Sequence, residues 1–120
     1  MSKAGSFKDL FVWQKAYKLA VGIFKWAREL PRGEASGLAE QIKRAAVSIP
    51  SNVAEGYGRQ HSKEYGRFLS VSYGSLCELE TQYLLAIELG YAQRSADIDG
   101  LLKEVGAMLY RMLHPRPKTL

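Results

Sequence analysis

Four stretches of this chain repeat apolar residues every three or four positions, and none alternates them every second position. The first period belongs to helices that bury one face, and the missing second period argues against a sheet. In the first stretch the apolar line is Leu10, Trp13, Tyr17, Ala20, Phe24, Ala27 and Leu30. Ser6-Phe7-Lys8-Asp9 ahead of it resembles a capping box, and Pro31 and Gly33 end it. The second line is Leu38, Ile42, Ala45, Ile49 and Val53, followed by a Gly56-Tyr57-Gly58-Arg59-Gln60-His61 loop. The third is Tyr65, Phe68, Leu69, Ser72, Leu76, Leu79, Tyr83 and Ala86, with Ser62 as its cap, Glu64 in its first turn and Gly90 as its stop. The fourth is Ile98, Leu101, Leu102, Val105, Met108, Leu109 and Met112, opened by Ser95 or Asp97 and stopped by Pro115. The expected helices span about 7-30, 36-56, 62-89 and 96-113, with a basic tail at 114-120, in a single domain 1-120. Short loops between four amphipathic helices predict an all-α, antiparallel up-down-up-down four-helix bundle.

A chain of 120 residues that is 47% hydrophobic can bury a core without staples. The single cysteine, Cys77, excludes an internal disulfide and suits a reducing cytoplasm, the expected location. The opening MSKAGSFKDL holds no apolar run of the signal-peptide kind, and no segment approaches the ~20 apolar residues of a membrane span, so no membrane partner is expected. The net charge of +5 is uneven: residues 1–67 carry +6 and residues 68–120 carry −1. A basic half points to an anionic partner, set against the plain reading of a solvated, charged surface.

The residues that carry catalysis are scarce. Di-iron bundles need Glu-x-x-His pairs, and no Glu here is followed by His at the third position. One cysteine and two histidines, His61 and His114, do not make a zinc site. Cys77 follows core position Leu76 in mid-helix, where a cysteine is expected to be a small buried hydrophobe. His61 has no nucleophile beside it, Glu78 and Glu80 point to different helix faces, and no glycine-rich phosphate loop is present. The expectation is a protein that is not an enzyme and takes no metal or cofactor.

Two patterns point to binding instead. On the first helix Lys18, Lys25 and Arg32 recur every seven residues, with Lys8 and Lys15 on a neighbouring line and Arg28 close by. Such a row can track phosphates, and bases could stack on Tyr57 or Tyr65 near Arg59 and Arg67. With Arg44, these make the nucleic-acid candidates Lys15, Lys18, Lys25, Arg28, Arg32, Arg44, Arg59 and Arg67. On the second helix, Gln41, Arg44, Ser48, Asn52, Glu55 and Arg59 form a polar face beside the core stripe, suited to a contact with a neighbouring helix or another subunit. Pro50 interrupts that helix. At 100° per residue it lies nearer solvent, it removes the bond to the Ala46 carbonyl, and Ser48, Ser51 and Asn52 stand ready to cover freed backbone groups. On the third helix Ser62, Gly66, Ser70 and Gly74 align as a row of small residues that invites close approach, inside the bundle or between subunits.

The stretch QIKRAAVSIPSNVAEGYGR, residues 41–59, resembles the signature of the 23S rRNA-intervening sequence protein family. The likeness extends from Phe7-Lys8-Asp9-Leu10 through Lys63-Glu64-Tyr65 and Gly74-Ser75-Leu76-Cys77-Glu78-Leu79-Glu80 to Leu89-Gly90-Tyr91. It implies a four-helix bundle that assembles as a ring-like homopentamer. By way of related accessory proteins of diversity-generating retroelements, it also implies RNA or DNA and a reverse transcriptase as partners. Gln41, Arg44, Ser48, Pro50, Ser51, Asn52, Glu55, Gly56 and Arg59 match the signature, as family-marking or interface residues. Tyr73 is an aromatic where many members carry a basic residue, so a role that used a charge there does not transfer. A protein scaffold without direct nucleic-acid binding is the alternative function.

Overall fold

The computed structural model describes residues 5–33, 35–59 and 62–116. Four helices carry the fold: α1 (Phe11–Trp26), α2 (Ser36–Gly58), α3 (Glu64–Glu88) and α4 (Ala96–Leu113), with no strand among the described residues. Each helix packs on two neighbours. α1 and α3 both lie against α2 and α4; across the diagonal the backbones stay apart, while the Trp26 ring of α1 reaches the Tyr83 ring of α3.

The helix ends explain where expectation and structure part. The Ser6 hydroxyl accepts the Lys8 N–H, and the Asp9 carboxylate accepts the Gly5 N–H, but they close a single 3₁₀ turn at Phe7–Asp9. Leu10 is extended (ψ 128°), so α1 starts at Phe11, and a second 3₁₀ turn, Ala27–Glu29, follows Trp26. α2 continues two residues beyond Gly56. Ser62 sits one residue before the α3 cap position, yet its hydroxyl still accepts the Glu64 N–H at 3.1 Å. Gly90 (φ +77°) lets the N–H groups of Gly90 and Tyr91 return to the carbonyls of Ile87 and Ala86, which closes α3. Ser95 caps α4 by accepting the Ile98 N–H.

The core gathers Leu19, Ile23, Ile42, Ile49, Val53, Leu79, Tyr83, Val105 and Leu109, all fully buried. Each such side chain contributes roughly 1.5–3 kcal/mol by leaving water. On α1 the buried set is Val12, Ala16, Leu19, Ala20, Ile23 and Trp26, a line rotated from the expected one. Tyr17 and Phe24, placed inward from sequence, are 53% and 40% exposed.

The expectation that Pro50 lies nearer solvent is overturned: it is buried, and α2 runs unbroken through it. α2 is flanked by α1 and α3 at once, so its buried arc is wider than one stripe and takes in Ala46, Pro50 and Gly56 beside Ile42, Ile49 and Val53. Pro50 faces α1, in an apolar cleft with Trp13, Tyr17, Val47 and Ala54. At Gly56, α2 lies tight against α3. A Cβ there would stand 3.0 Å from Phe68 Cβ and 3.1 Å from Tyr65 Cδ1. Its missing side chain serves packing rather than a turn, which is why the helix does not end there.

Part of the polar face of α2, Ser48 and Asn52 with Gln41 further along, lies on the seam with α3, while Arg44, Glu55 and Arg59 are exposed. The fully buried Ser72 hydroxyl donates to the Ile49 carbonyl at 2.7 Å. Ser48 and Ser75 share a hydroxyl hydrogen bond at 2.7 Å, and the Asn52 amide donates to the Ser48 carbonyl (2.8 Å) and hydroxyl (3.0 Å). Further along, the Gln82 amide donates to Glu78 at 3.3 Å and reaches Gln41 at 3.5 Å. Ser51 is exposed.

A buried hydrogen bond is worth about 1 kcal/mol net. Ser72→Ala should lower stability by about that amount in urea unfolding at unchanged m-value, whereas Ser51→Ala should stay within about 0.5 kcal/mol of the parent. Equal effects of the two would contradict the assigned role of the seam.

Candidate nucleic-acid interface

Opposite the α2–α3 seam, α1 and α4 leave a groove of about 600 Å³. Lys15, Lys18 and Lys25 line its α1 wall, Asp97 and Glu104 its α4 wall, and Val21, Gly22, Gly100 and Leu101 lie between. A second hollow, also about 600 Å³, shares Gly22, Lys25, Asp97 and Leu101 and continues past Trp26 to Gln93 and Arg94. Two glycines line the groove with no side chain to fill it: nothing lies within 4 Å of a Cβ built on Gly100, and Ile98 Cγ1 lies 3.9 Å from one on Gly22. Lys15 Nζ crosses the groove to Glu104 Oε1 at 3.4 Å, and Arg94 Nε is held by Asp99 Oδ2 at 2.8 Å. Lys18 and Lys25 form no ion pair with any described residue.

The other cationic candidates do not join this groove. Arg28 is exposed in the 3₁₀ turn after α1, Arg32 in the connection to α2, and Arg44 on α2 itself. Arg59 and Arg67 lie near the α2–α3 turn, beyond the 23 residues of α2, about 35 Å of helix from Arg32. Arg59 is engaged already, with Glu55 at 3.5 Å, Glu64 at 3.2 Å and its guanidinium over the Phe68 ring at 5.5 Å. It braces the turn. Gln60 and His61 lie outside the described residues, as does the tail from residue 117.

The tyrosines named for base stacking lie near the α2–α3 turn, away from the groove. Tyr65 is half-buried against Gly56, and its burial, then its neighbour Tyr57, pushes its phenol above the ordinary value. Tyr57 is half-buried too. Cys77 is exposed, not buried, because it lies one step round the helix from Leu76, on the outward side with Gly74 and Thr81. Ser62, Gly66, Ser70 and Gly74 are likewise exposed, with nothing within 4 Å of a Cβ on either glycine, so no helix of the bundle approaches that row.

Sequence reasoning missed the side chains that seat the groove's α4 wall. Trp26 donates its indole N–H to the Gln93 carbonyl at 2.7 Å and packs on the Tyr83 ring, with centroids 4.9 Å apart. The Tyr83 hydroxyl accepts the Ser95 N–H at 2.8 Å and donates to the Asp99 carboxylate at 2.9 Å. Asp99 in turn holds Arg94, so one buried phenol fixes the start of α4. The signal was present as Val12, Ala16, Leu19, Ile23, Trp26 and Leu30, spaced four and three in alternation, but exposed aromatics one step round competed with it.

The model of the 23S rRNA-intervening sequence protein family matches residues 8–111. The chain belongs to that family. The matched span of this 23S rRNA-intervening sequence protein includes every groove residue and the whole α2 signature. Comparison with curated proteins yields no match. Among the described residues no helix is long and apolar enough to cross a membrane, and no group of three or more His, Cys, Asp and Glu is placed to hold a metal ion.

Burial, ahead of all other causes, raises the Tyr83 phenol above its ordinary value of 10.0. Below pH 10 both folded and unfolded states keep the proton, and the latch contributes fully. As pH rises further the unfolded chain releases its proton first, so stability falls through the raised folded value. Tyr83→Phe should lower stability at pH 7 and shrink this alkaline loss in denaturation measured from pH 8 to 11. An undiminished alkaline loss in the variant would remove Tyr83 from the account.

Proposed function

We propose that this 23S rRNA-intervening sequence protein is a non-enzymatic, self-associating cytoplasmic bundle that binds the phosphate backbone of RNA or DNA along the α1–α4 groove. One observation carries the reading: Lys18 and Lys25 stand on one wall of an open groove without an ion-pair partner among the described residues. Lysines so placed release counterions when they meet phosphates, which is the main source of sequence-independent affinity. The uneven charge of the chain, +6 in residues 1–67, favours a polyanion as the partner in general.

In this reading the helices alternate up and down, each antiparallel to its neighbours. Facing pairs support that order: Phe24 with Lys43, Gln41 with Gln82, Ser48 with Ser75, Leu76 with Gly106, and Lys15 with Glu104. Five copies close into a ring. Tyr17, Phe24 and Val47, exposed side by side on α1 and α2, and the open ground over Gly66 and Gly74 support self-association. A scaffold role is the second reading. It is favoured by the apolar cleft of about 340 Å³ between α1 and α2, lined by Phe7, Trp13, Tyr17, Val47 and Pro50. Through the retroelement likeness, a reverse transcriptase is the protein partner to test there.

Fluorescence anisotropy with a labelled oligonucleotide, titrated from 50 to 200 mM salt, tests the groove. Each phosphate contact contributes roughly 0.7–0.9 to the slope of log affinity against log salt, so Lys18→Ala/Lys25→Ala should flatten it by about 1.5. Arg67→Ala, far from the groove, should leave it unchanged. No binding at low salt, or a slope the double variant does not alter, contradicts the groove assignment. Light scattering should report five chains per particle, and a monomer would contradict the ring.

A further inference from the structure

We infer that the α1–α4 groove takes one strand of nucleic acid, not a duplex, and prefers bases that present an amino group. The inference rests on the nucleic-acid reading and adds the form of the ligand. Its basis is the unlike character of the two walls. The α1 wall offers Lys18 and Lys25, with Lys15 at one end, and the α4 wall offers the carboxylates of Asp97 and Glu104. Val21 and Leu101 form an apolar strip between them.

A duplex carries two phosphate rails. Laid over this groove, one rail meets the lysines and the other meets Asp97 and Glu104, where like charges repel. A single strand has one rail. With its phosphates on the α1 wall, its sugars and base faces lie over Val21 and Leu101, and its base edges reach the α4 wall. A carboxylate only accepts hydrogen bonds. It therefore pairs with the amino groups of cytosine, adenine and guanine, as acidic side chains do with cytosine N4 elsewhere. Uracil and thymine offer a ring N–H flanked by two carbonyl oxygens, which face the carboxylate unfavourably. Single strands are also the form whose base edges are free to be read.

The Lys15–Glu104 ion pair, 3.4 Å long and with both side chains partly exposed (37% and 48%), closes the groove at one end. Such an exposed pair is weak, so a phosphate can replace Glu104 at Lys15. Glu104 then turns to the bases. At the other end Arg94, fixed by Asp99, continues the hollow beyond Lys25 and marks where the strand leaves.

The test is anisotropy at low salt with homopolymer twelve-mers of C, A and U, their deoxy counterparts with T, and a hairpin duplex of equal length. Single strands should bind about tenfold more tightly than the duplex. Oligo-C and oligo-A should exceed oligo-U or oligo-T by at least about fivefold, the low end of what one base-edge contact discriminates. The ranking is expected in whichever sugar binds, since it comes from the base edges. Asp97→Asn/Glu104→Gln replaces acceptors by amides that both donate and accept. It should tighten binding of every strand and bring the C-to-U ratio close to one, with circular dichroism and thermal melting reporting an intact bundle. Equal binding of duplex and single strand, or equal binding of C and U by the parent, overturns the inference while leaving groove binding in place. A C-to-U ratio unchanged in the double variant overturns the role of the α4 wall. Absence of binding by every ligand overturns the nucleic-acid reading beneath it.

Discussion

The Ser72 hydroxyl donates to the Ile49 carbonyl at 2.7 Å, one residue before Pro50, and the register of the bundle follows from where that bond sits. Ser72 is fully buried, so leaving its hydroxyl unpaired would cost about 1–3 kcal/mol, and sliding α2 along α3 would break the pairing. Ser48, Ser75 and Asn52 repeat the constraint on the same seam, and Gly56 sets the distance of approach to Tyr65 and Phe68. With α2 fixed on α3, Pro50 is presented to α1 and becomes part of the α1–α2 packing. A proline that reads as a fault in a helix is thus a buried residue of a helix that does not break.

Because the helices pack in a cycle, the seam rich in signature residues and the lysine-lined groove lie on opposite sides of the molecule. The signature side chains are largely spent on one another: Ser48 on Ser75, Asn52 on Ser48, Glu55 on Arg59. The α1–α4 side keeps Lys18 and Lys25 without an ion-pair partner among the described residues. Its far wall depends on a second buried polar group, the Tyr83 hydroxyl, which ties the start of α4 to α3. Two hydroxyls in an apolar core therefore do separate jobs, one setting helix register and one shaping the groove.

The four helices were legible because their apolar spacing is long and regular, and α4 began at its Ser95 cap and ended at Leu113 as the pattern implied. The start of α1 was not, because Ser6 and Asp9 satisfy a 3₁₀ turn as readily as the first turn of a helix. Pro50 and Cys77 were misplaced for different reasons: a single angular stripe describes a helix with one neighbour, whereas α2 has two, and Cys77 was judged by residue type rather than by its direction on the helix. The second neighbour widened the buried arc on α2 to include Pro50. On α3 the outward side begins immediately past Leu76, at Cys77. Of the groove, the lysine spacing on α1 was readable, but its α4 wall was not, because Asp97 and Glu104 face Lys25 and Lys15 only once the bundle is closed. The wide scatter of Arg44, Arg59 and Arg67 likewise had no trace in charge spacing alone.

The central claim is a division of labour, with the α2–α3 seam structural and the α1–α4 groove binding. Amide chemical-shift mapping during titration with a single-stranded oligonucleotide tests it most directly. The account predicts shifts concentrated at Lys18, Gly22, Lys25, Asp97, Gly100 and Leu101, with Ser48, Asn52, Ser72 and Ser75 unmoved. Shifts centred on the α2–α3 seam, with the groove silent, would contradict it.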